Sequence, residues 1–255
     1  MSTAPHAAEL AAPASWRTID FISDLHLEAS DAATFAAWSR YMQETPADAV
    51  FILGDLFEVW VGDDAVHHSA FLANCAQVLR QCATHAAVYF MHGNRDFLVG
   101  RTFLGESSTT LLADPTVLSF AGARWLLSHG DTLCLADVDY LRFREQVRSP
   151  QWQQAFLARP LAEREATGRA LREQSEQRKR SGEPYADVDT AAASDWLSAA
   201  NATALIHGHT HRPADHSLPG GRSRTVLSDW DANGVPPRME VLRLSCDGLQ
   251  RLVLS

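Results

Sequence analysis

Eleven residues combine acid, amide, guanidinium and imidazole chemistry at short spacings, gathered in five places along the chain. "SDLH" carries Asp24 and His26, "GD" carries Asp55, and "GNRD" carries Asn94, Arg95 and Asp96. "SHGD" carries His129 and Asp131, and "HGHTH" carries His207, His209 and His211. Singly, each has an ordinary explanation: an Asp after a strand forms a turn or caps a helix, and a lone His packs or faces water. Jointly, this mix of hard oxygen and imidazole donors points to divalent cations. The i, i+2 spacing of Asp24 with His26, and of His207 with His209, puts each pair on one face of extended chain, where it can grip one ion. The donors are too many for a single tetrahedral zinc and suit two ions sharing a carboxylate. "GDLFEVWVGDD" (54–64) raises the same need, because four carboxylates crowd behind the apolar run "AVFIL". Asp55 is the residue placed to face two cations.

Such a centre needs elements that bring five loops together. "TIDFISD", "AVFILGD" and "AAVYFMHGNRD" each read as a short apolar strand ending in polar residues, with helical patterns after the first two in "SDAATFAAWSRYMQE" and about 66–83. Recurring β-loop-α units imply parallel strands with helices on the faces, and ligands gather beyond the carboxyl ends of such strands. "TVLSF" and "ARWLLSHGD" read as two strands around the turn "AGA"; "DVDTAAASDWLSAAN" reads as a helix before the strand "ATALIHGHTH"; the tail alternates and turns on Gly and Pro as antiparallel strands do. Residues 138–185 differ in texture. They carry ten Arg/Lys against seven Asp/Glu in a chain whose formal charge is -9, and read as a helical insert broken at Pro150 and Pro160. Its arginines read as a solvated helix surface or, with Trp152, Phe156, Leu157 and Leu161, as a cover for an anionic, greasy ligand.

The 255 residues, 46% hydrophobic and 21% charged, suit one large α/β domain with a proper core. The acidic balance argues against broad nucleic-acid binding. Cys75, Cys82, Cys134 and Cys246 lack C-x-x-C spacing and fit a reducing, cytoplasmic setting. Residues 1–16, Ala/Pro-rich with neither basic nor apolar signal regions, read as a disordered leader before a domain over 17–255.

D-x-H, G-D, G-N-R-D, S-H-G-D and G-H-x-H, in this order, resemble the motifs of the calcineurin-like metallophosphoesterases. More narrowly, "SDLHL", "LGDLFEVWVGDD", "FMHGNRDFLVG", "LSHGDTLCLAD" and "LIHGHTHRPA" are similar to those of the UDP-2,3-diacylglucosamine hydrolase (pyrophosphatase) family of lipid A biosynthesis, from residue 18 to about 255. The resemblance implies an α/β/β/α sandwich, two mixed sheets flanked by helices, with a helical lid insert over about 138–185 that receives acyl chains. It implies two Mn²⁺ ions: Asp24, His26 and His209 on the first, Asn94, His129 and His207 on the second, Asp55 bridging. Asp55, Arg95 and His129 are then catalytic, and Asn94, Arg95, Asp137, Ser175, Lys179 and His207 contact substrate. Arg95 stands where many relatives have His; it cannot act as an acid and is expected to grip phosphate with its planar fork.

The activity implied is water attack on the α-phosphorus of UDP-2,3-diacylglucosamine, giving UMP and 2,3-diacylglucosamine 1-phosphate (lipid X). A diacyl substrate implies peripheral attachment to the cytoplasmic face of the inner membrane; no obligate protein partner is inferred. The alternative is a metallophosphoesterase for a soluble nucleotide or phosphoester. Outside the ligand set, Asp96 and Asp131 are expected to orient ligands. Asp63 and Asp64 are expected to be structural, for instance capping a helix near Ala65. His92 and His211 stay open between supporting a ligand and simple packing.

Overall fold

The computed structural model describes residues 4–180 and 186–254, without the side chains of 175, 176 and 178–180. The expectations at Ser175 and Lys179 therefore fall outside the described residues.

The chain opens on a short strand β1 (Ala8–Ala11), then β2 (Thr18–Ile22), α1 (Ala32–Glu44) and β3 (Ala49–Leu53). Asp31 starts α1 by accepting the amide of Thr34 at 3.0 Å. Next come α2 (Ala70–Cys82), β4 (Ala87–Met91), α3 (Arg101–Glu106) and β5 (Thr110–Leu112). β6 (Thr116–Phe120) and β7 (Ala123–Ser128) form a hairpin whose two linking residues, Ala121 and Gly122, both take positive φ, matching strand twist. Three helices follow: α4 (Val138–Val147), α5 (Pro150–Leu157) and α6 (Leu161–Arg180). Pro150 is the first residue of α5 and Pro160 precedes α6, so both prolines mark helix starts, where a missing N–H costs nothing. The chain ends with α7 (Thr190–Ala199), β8 (Ala204–His207), β9 (Ala214–Leu218), β10 (Arg222–Val226), β11 (Glu240–Ser245) and β12 (Gly248–Val253).

Two mixed six-stranded sheets result, one ordered β1-β6-β7-β8-β10-β9 and the other β12-β11-β2-β3-β4-β5. Period-2 alternation decides which layer each residue fills. In β3, Phe51 and Leu53 point between the sheets, against Leu118, Leu127 and Ile206; Val50 and Ile52 point outward, against Trp38, Met42 and Leu79 of the helices. On the other outer face, Val117, Leu126 and Leu205 meet Ala193, Trp196 and Leu197 of α7. The architecture is the α/β/β/α sandwich.

Two expectations need correction. Residues 8–11 do not behave as a disordered leader: β1 pairs in parallel with β6, and Leu10 packs against the core between the sheets. Four residues among Ala and Pro carry almost no periodic signal, which is why the strand is hidden in the sequence. The helix expected over about 66–83 is split: Asp63–His68 is a 3₁₀ turn, and α2 starts at Ala70 after its cap Ser69.

Candidate metal centre

Five strands of the sandwich, β2, β3 and β4 of one sheet and β7 and β8 of the other, end at a common edge. Pairing outlasts the strands: Asp24 N–H donates to the carbonyl of Gly54 (3.1 Å), His26 N–H to that of Asp55 (3.0 Å) and Leu27 N–H to that of Leu56 (2.8 Å). These bonds hold Asp24, His26 and Asp55 in register. The same three residues, with His209 and His211, have φ between 48° and 67°. Left-handed backbone at a non-glycine residue costs about 1 kcal/mol or more, so five cases at one edge mean the surroundings hold them there.

Glycines let the loops approach. A Cβ on Gly93 would stand 2.1 Å from Asp55 Oδ1 and 2.3 Å from Asp55 N; one on Gly208 would stand 2.3 Å from Asp24 Oδ2. Asp96 spans two of the loops, accepting the amides of Leu56 (2.7 Å) and Gly93 (2.8 Å). Burial and the nearby Asp55 push its carboxyl up to about 7. Asp131, also fully buried, receives the Tyr140 hydroxyl and Arg144 Nε (2.7 Å) from α4. Asp96 thereby ties the loop after Asp55 to the loop before Asn94, and Asp131 ties the loop after His129 to α4.

The donors fall into two groups joined by Asp55. In the first, His211 Nε2 lies 3.4 Å from Asp24 Oδ1 and 3.2 Å from His26 Nε2, and His26 Nε2 lies 4.0 Å from Asp55 Oδ2. In the second, Asn94 Oδ1 lies 3.0 Å from His129 Nε2 and 2.8 Å from His209 Nδ1, and His129 Nε2 lies 3.9 Å from Asp55 Oδ1. Asp55 thus turns one oxygen to each group. Asp24, His26 and His211 place donor atoms within 4.8 Å of one another, and so do Asp24, Asp55 and His129.

The expected ligand set is corrected at one point. His207 belongs to neither group: it is the last residue of β8, paired beside Ser128 of β7 and Val226 of β10, fully buried, with Nδ1 against the Gly208 carbonyl (2.8 Å). Its Nε2 is buried without a hydrogen-bond partner among the described residues. "HGHTH" contains two frames with identical spacing, and the strand's end at His207 selects His209 with His211. His209 accordingly sits with Asn94 and His129, and His211 with Asp24 and His26.

The donor set fits cations. Asp24 Oδ1 is buried without a hydrogen-bond partner among the described residues, an expensive state unless a charge meets it. Burial alone would raise the Asp24 carboxyl, yet His211, His129 and His26 outweigh it and hold it far below the usual carboxylate range. Burial would lower His129, but Asp55, Asp24 and Asp131 outweigh it and push the imidazole up to about 9. His209, which burial and His129 push down to about 4, is neutral at pH 7, ready to offer a lone pair. His129 Nδ1 lies 2.9 Å from the Leu53 carbonyl, a contact that leaves Nε2 for the centre.

The rest of "GDLFEVWVGDD" has separate partners. Asp63 accepts the amides of Gly100 (2.8 Å), Thr102 (3.0 Å) and Phe103 (3.1 Å), so it caps α3, not a helix at Ala65. Asp64 receives both terminal nitrogens of Arg164, an α6 side chain that is almost fully buried. Glu58 pairs with Arg95 at 3.1 Å.

Beside the second group opens a groove of about 370 Å³. Asn94, Arg95, Asp137, Tyr140 and His209 lie along it, and Trp60, Phe97, Phe143, Trp152, Phe156 and Leu171 are among its apolar walls. Asp137 also caps α4 through the Tyr140 amide (3.2 Å), and the Tyr140 ring stacks on His209. His92, left open from sequence, bonds the Val99 carbonyl (2.8 Å) away from the donors. Sequence reasoning missed Tyr140, which no motif spacing marks, and gave Glu58, one of the four carboxylates of "GDLFEVWVGDD", no role of its own.

The profile of the calcineurin-like phosphoesterases matches residues 17–213. "UDP-2,3-diacylglucosamine hydrolase" of Chromobacterium violaceum is 47% identical over 221 residues, covering 83% of this chain and 90% of that protein. The protein of the same name from Ralstonia nicotianae is 43% identical, covering 98% and 97%. The chain belongs to the UDP-2,3-diacylglucosamine hydrolase family of calcineurin-like phosphoesterases. In this chain the two donor groups stand at the strand ends, and helices α4–α6 supply part of the groove wall beside them.

Proposed function

We propose that the protein hydrolyses the pyrophosphate of UDP-2,3-diacylglucosamine, water adding to the α-phosphorus and the bond to the β-phosphate oxygen breaking, to give UMP and 2,3-diacylglucosamine 1-phosphate. What carries this reading is an apolar groove that opens directly onto a cluster of cation donors, with an arginine between them. Walls of Trp, Phe and Leu suit acyl chains.

In this reading Asp24, His26 and His211 would hold one Mn²⁺, Asn94, His129 and His209 would hold the other, and Asp55 would serve both. Oxygen and imidazole donors suit this ion. When bound, the pair supplies Lewis-acid polarisation of the phosphoryl oxygens and an activated water. The chain does the rest. The Arg95 amide donates to Asp55 Oδ1 (2.8 Å) and keeps that carboxylate aimed, while its guanidinium, at the head of the groove, neutralises the phosphoryl oxygens as charge moves to the leaving group. The departing group is a phosphate and needs no strong acid, which agrees with Arg at position 95. Asp137 and Tyr140 border the sugar end, and the apolar walls take the acyl chains and exclude water.

Among the described residues no helix is long and apolar enough to cross a membrane. Leu135, Val138, Phe143, Leu157 and Leu171, in and just before the Arg-rich insert, are exposed, and an apolar, basic surface of this kind suits peripheral contact with an anionic leaflet at the cytoplasmic face of the inner membrane. The test supplies metal-stripped protein with Mn²⁺ and UDP-2,3-diacylglucosamine in mixed micelles and assays UMP. Turnover of small nucleotides with none of the diacyl substrate would refute the proposal.

A further inference from the structure

We infer that Glu58 is a positioning residue tying the cation ligand His26 to helix α6 of the insert, so that cation binding and docking of α6 reinforce each other. The inference rests on the metal centre proposed above. The two oxygens of Glu58 divide their partners. Oε2 lies 3.0 Å from His26 Nδ1, while Oε1 lies 3.1 Å from Arg95 Nη1 and 2.9 Å from Arg172 Nε.

On the centre's side, His26 Nδ1 is close to Oε2 without being aligned for a hydrogen bond. With Nε2 committed to a cation, Nδ1 carries the ring's proton, and a small rotation of the imidazole completes the bond. A carboxylate behind a ligating histidine fixes its tautomer and raises its basicity.

On the insert's side, Arg164, Gly168 and Arg172 recur every four residues and form one stripe of α6 facing residues 58–64. Arg164 bonds the Val61 carbonyl and Asp64; a Cβ on Gly168 would stand 2.8 Å from Val59 Cγ1; Arg172 reaches Glu58, and Glu28 at 2.8 Å. Of these three, Arg172 is the one whose partner also touches a cation ligand. A carboxylate steadied by His26 presents Oε1 to Arg172 in one orientation, and Arg172, by holding Oε1, presents Oε2 to His26. Thermodynamic linkage makes the effect reciprocal.

The test follows hydrogen exchange of α6 amides, residues 161–174, on metal-stripped full-length protein and at saturating Mn²⁺. In the wild type, Mn²⁺ is expected to slow exchange by about fivefold, the low end of ordinary coupling. Glu28→Gln, which keeps the Glu58 contacts, retains the slowing; Glu58→Gln loses it. Direct Mn²⁺ titration gives Glu58→Gln a roughly 10- to 100-fold weaker affinity for one ion. Should Glu58→Gln fold poorly, Arg172→Gln decides: reciprocity requires it to weaken that ion about as much as the ion slows exchange. Wild-type exchange indifferent to Mn²⁺, slowing that survives in Glu58→Gln, or unchanged Mn²⁺ affinity in both variants overturns the coupling. A wild type that binds no Mn²⁺ refutes the metal centre itself, so the two failures are distinct.

Discussion

Substituting Gly93 by alanine tests the centre without deleting a donor. The added Cβ would stand 2.1 Å from Asp55 Oδ1 and 2.3 Å from Asp55 N, where ordinary contact begins near 3.4 Å. Both neighbours are fixed: the carboxylate is held by the Arg95 amide, and the Asp55 backbone is paired to the loop of His26. The Asp55 loop must therefore retreat by about 1 Å, and a misplacement of that size costs on the order of 100-fold in rate. Overpacking adds roughly 1–3 kcal/mol of destabilisation, which leaves a protein of ordinary stability folded. UMP release under saturating Mn²⁺, Mn²⁺ titration and urea unfolding separate the effects. We expect turnover to fall about 100-fold, with weaker Mn²⁺ binding and cooperative unfolding retained. Wild-type turnover and affinity would refute the claim that Asp55 needs a side-chain-free neighbour to face both groups.

Three further outcomes follow. His211→Ala is expected to weaken one of two Mn²⁺ ions by about 100-fold, whereas His207→Asn keeps both ions and loses about 1–3 kcal/mol on urea unfolding; the opposite pattern would restore His207 as a ligand. Asp64→Ala, which removes one partner of the buried Arg164 while the Val61 carbonyl remains, is expected to cost about 1–2 kcal/mol with unchanged Mn²⁺ affinity. His129 is raised to about 9 from an ordinary value near 6.5, so its contribution to stability is full below the lower value and lost as pH rises through the upper. The unfolding temperature of metal-stripped protein should accordingly fall between pH 6.5 and 9.5, as calorimetry would show, and Mn²⁺ should abolish the fall.

Much of this was legible in the sequence because short, continuously apolar strands end abruptly in chemical residues. "AVFIL" followed by Asp55 is readable since both faces of β3 are buried, one against the other sheet and one against helices. Asp24, His26, Asn94 and His129 were placed for the same reason. The frame of "HGHTH" was not legible, since it depends on where β8 stops, and spacing is the same in either frame. Nor was the target of Asp63, whose helix lies 37 residues on in the chain, or the role of Glu58, whose partners come from three separate segments. β1 and β5, with four and three residues, are too short to show a period.

Asp24, His26, Asp55 and Asn94 hang from one sheet, while His129, His209 and His211 hang from the other, and the two halves are joined near the donors by His129 reaching the Leu53 carbonyl. The donor cage therefore works as a gauge of how the sandwich is aligned. A slide of a few tenths of an ångström between the two layers, caused by a volume change at Phe51, Leu118 or Ile206 far from any phosphate, would open one half against the other. Catalytic precision here is stored in hydrocarbon that never meets the substrate.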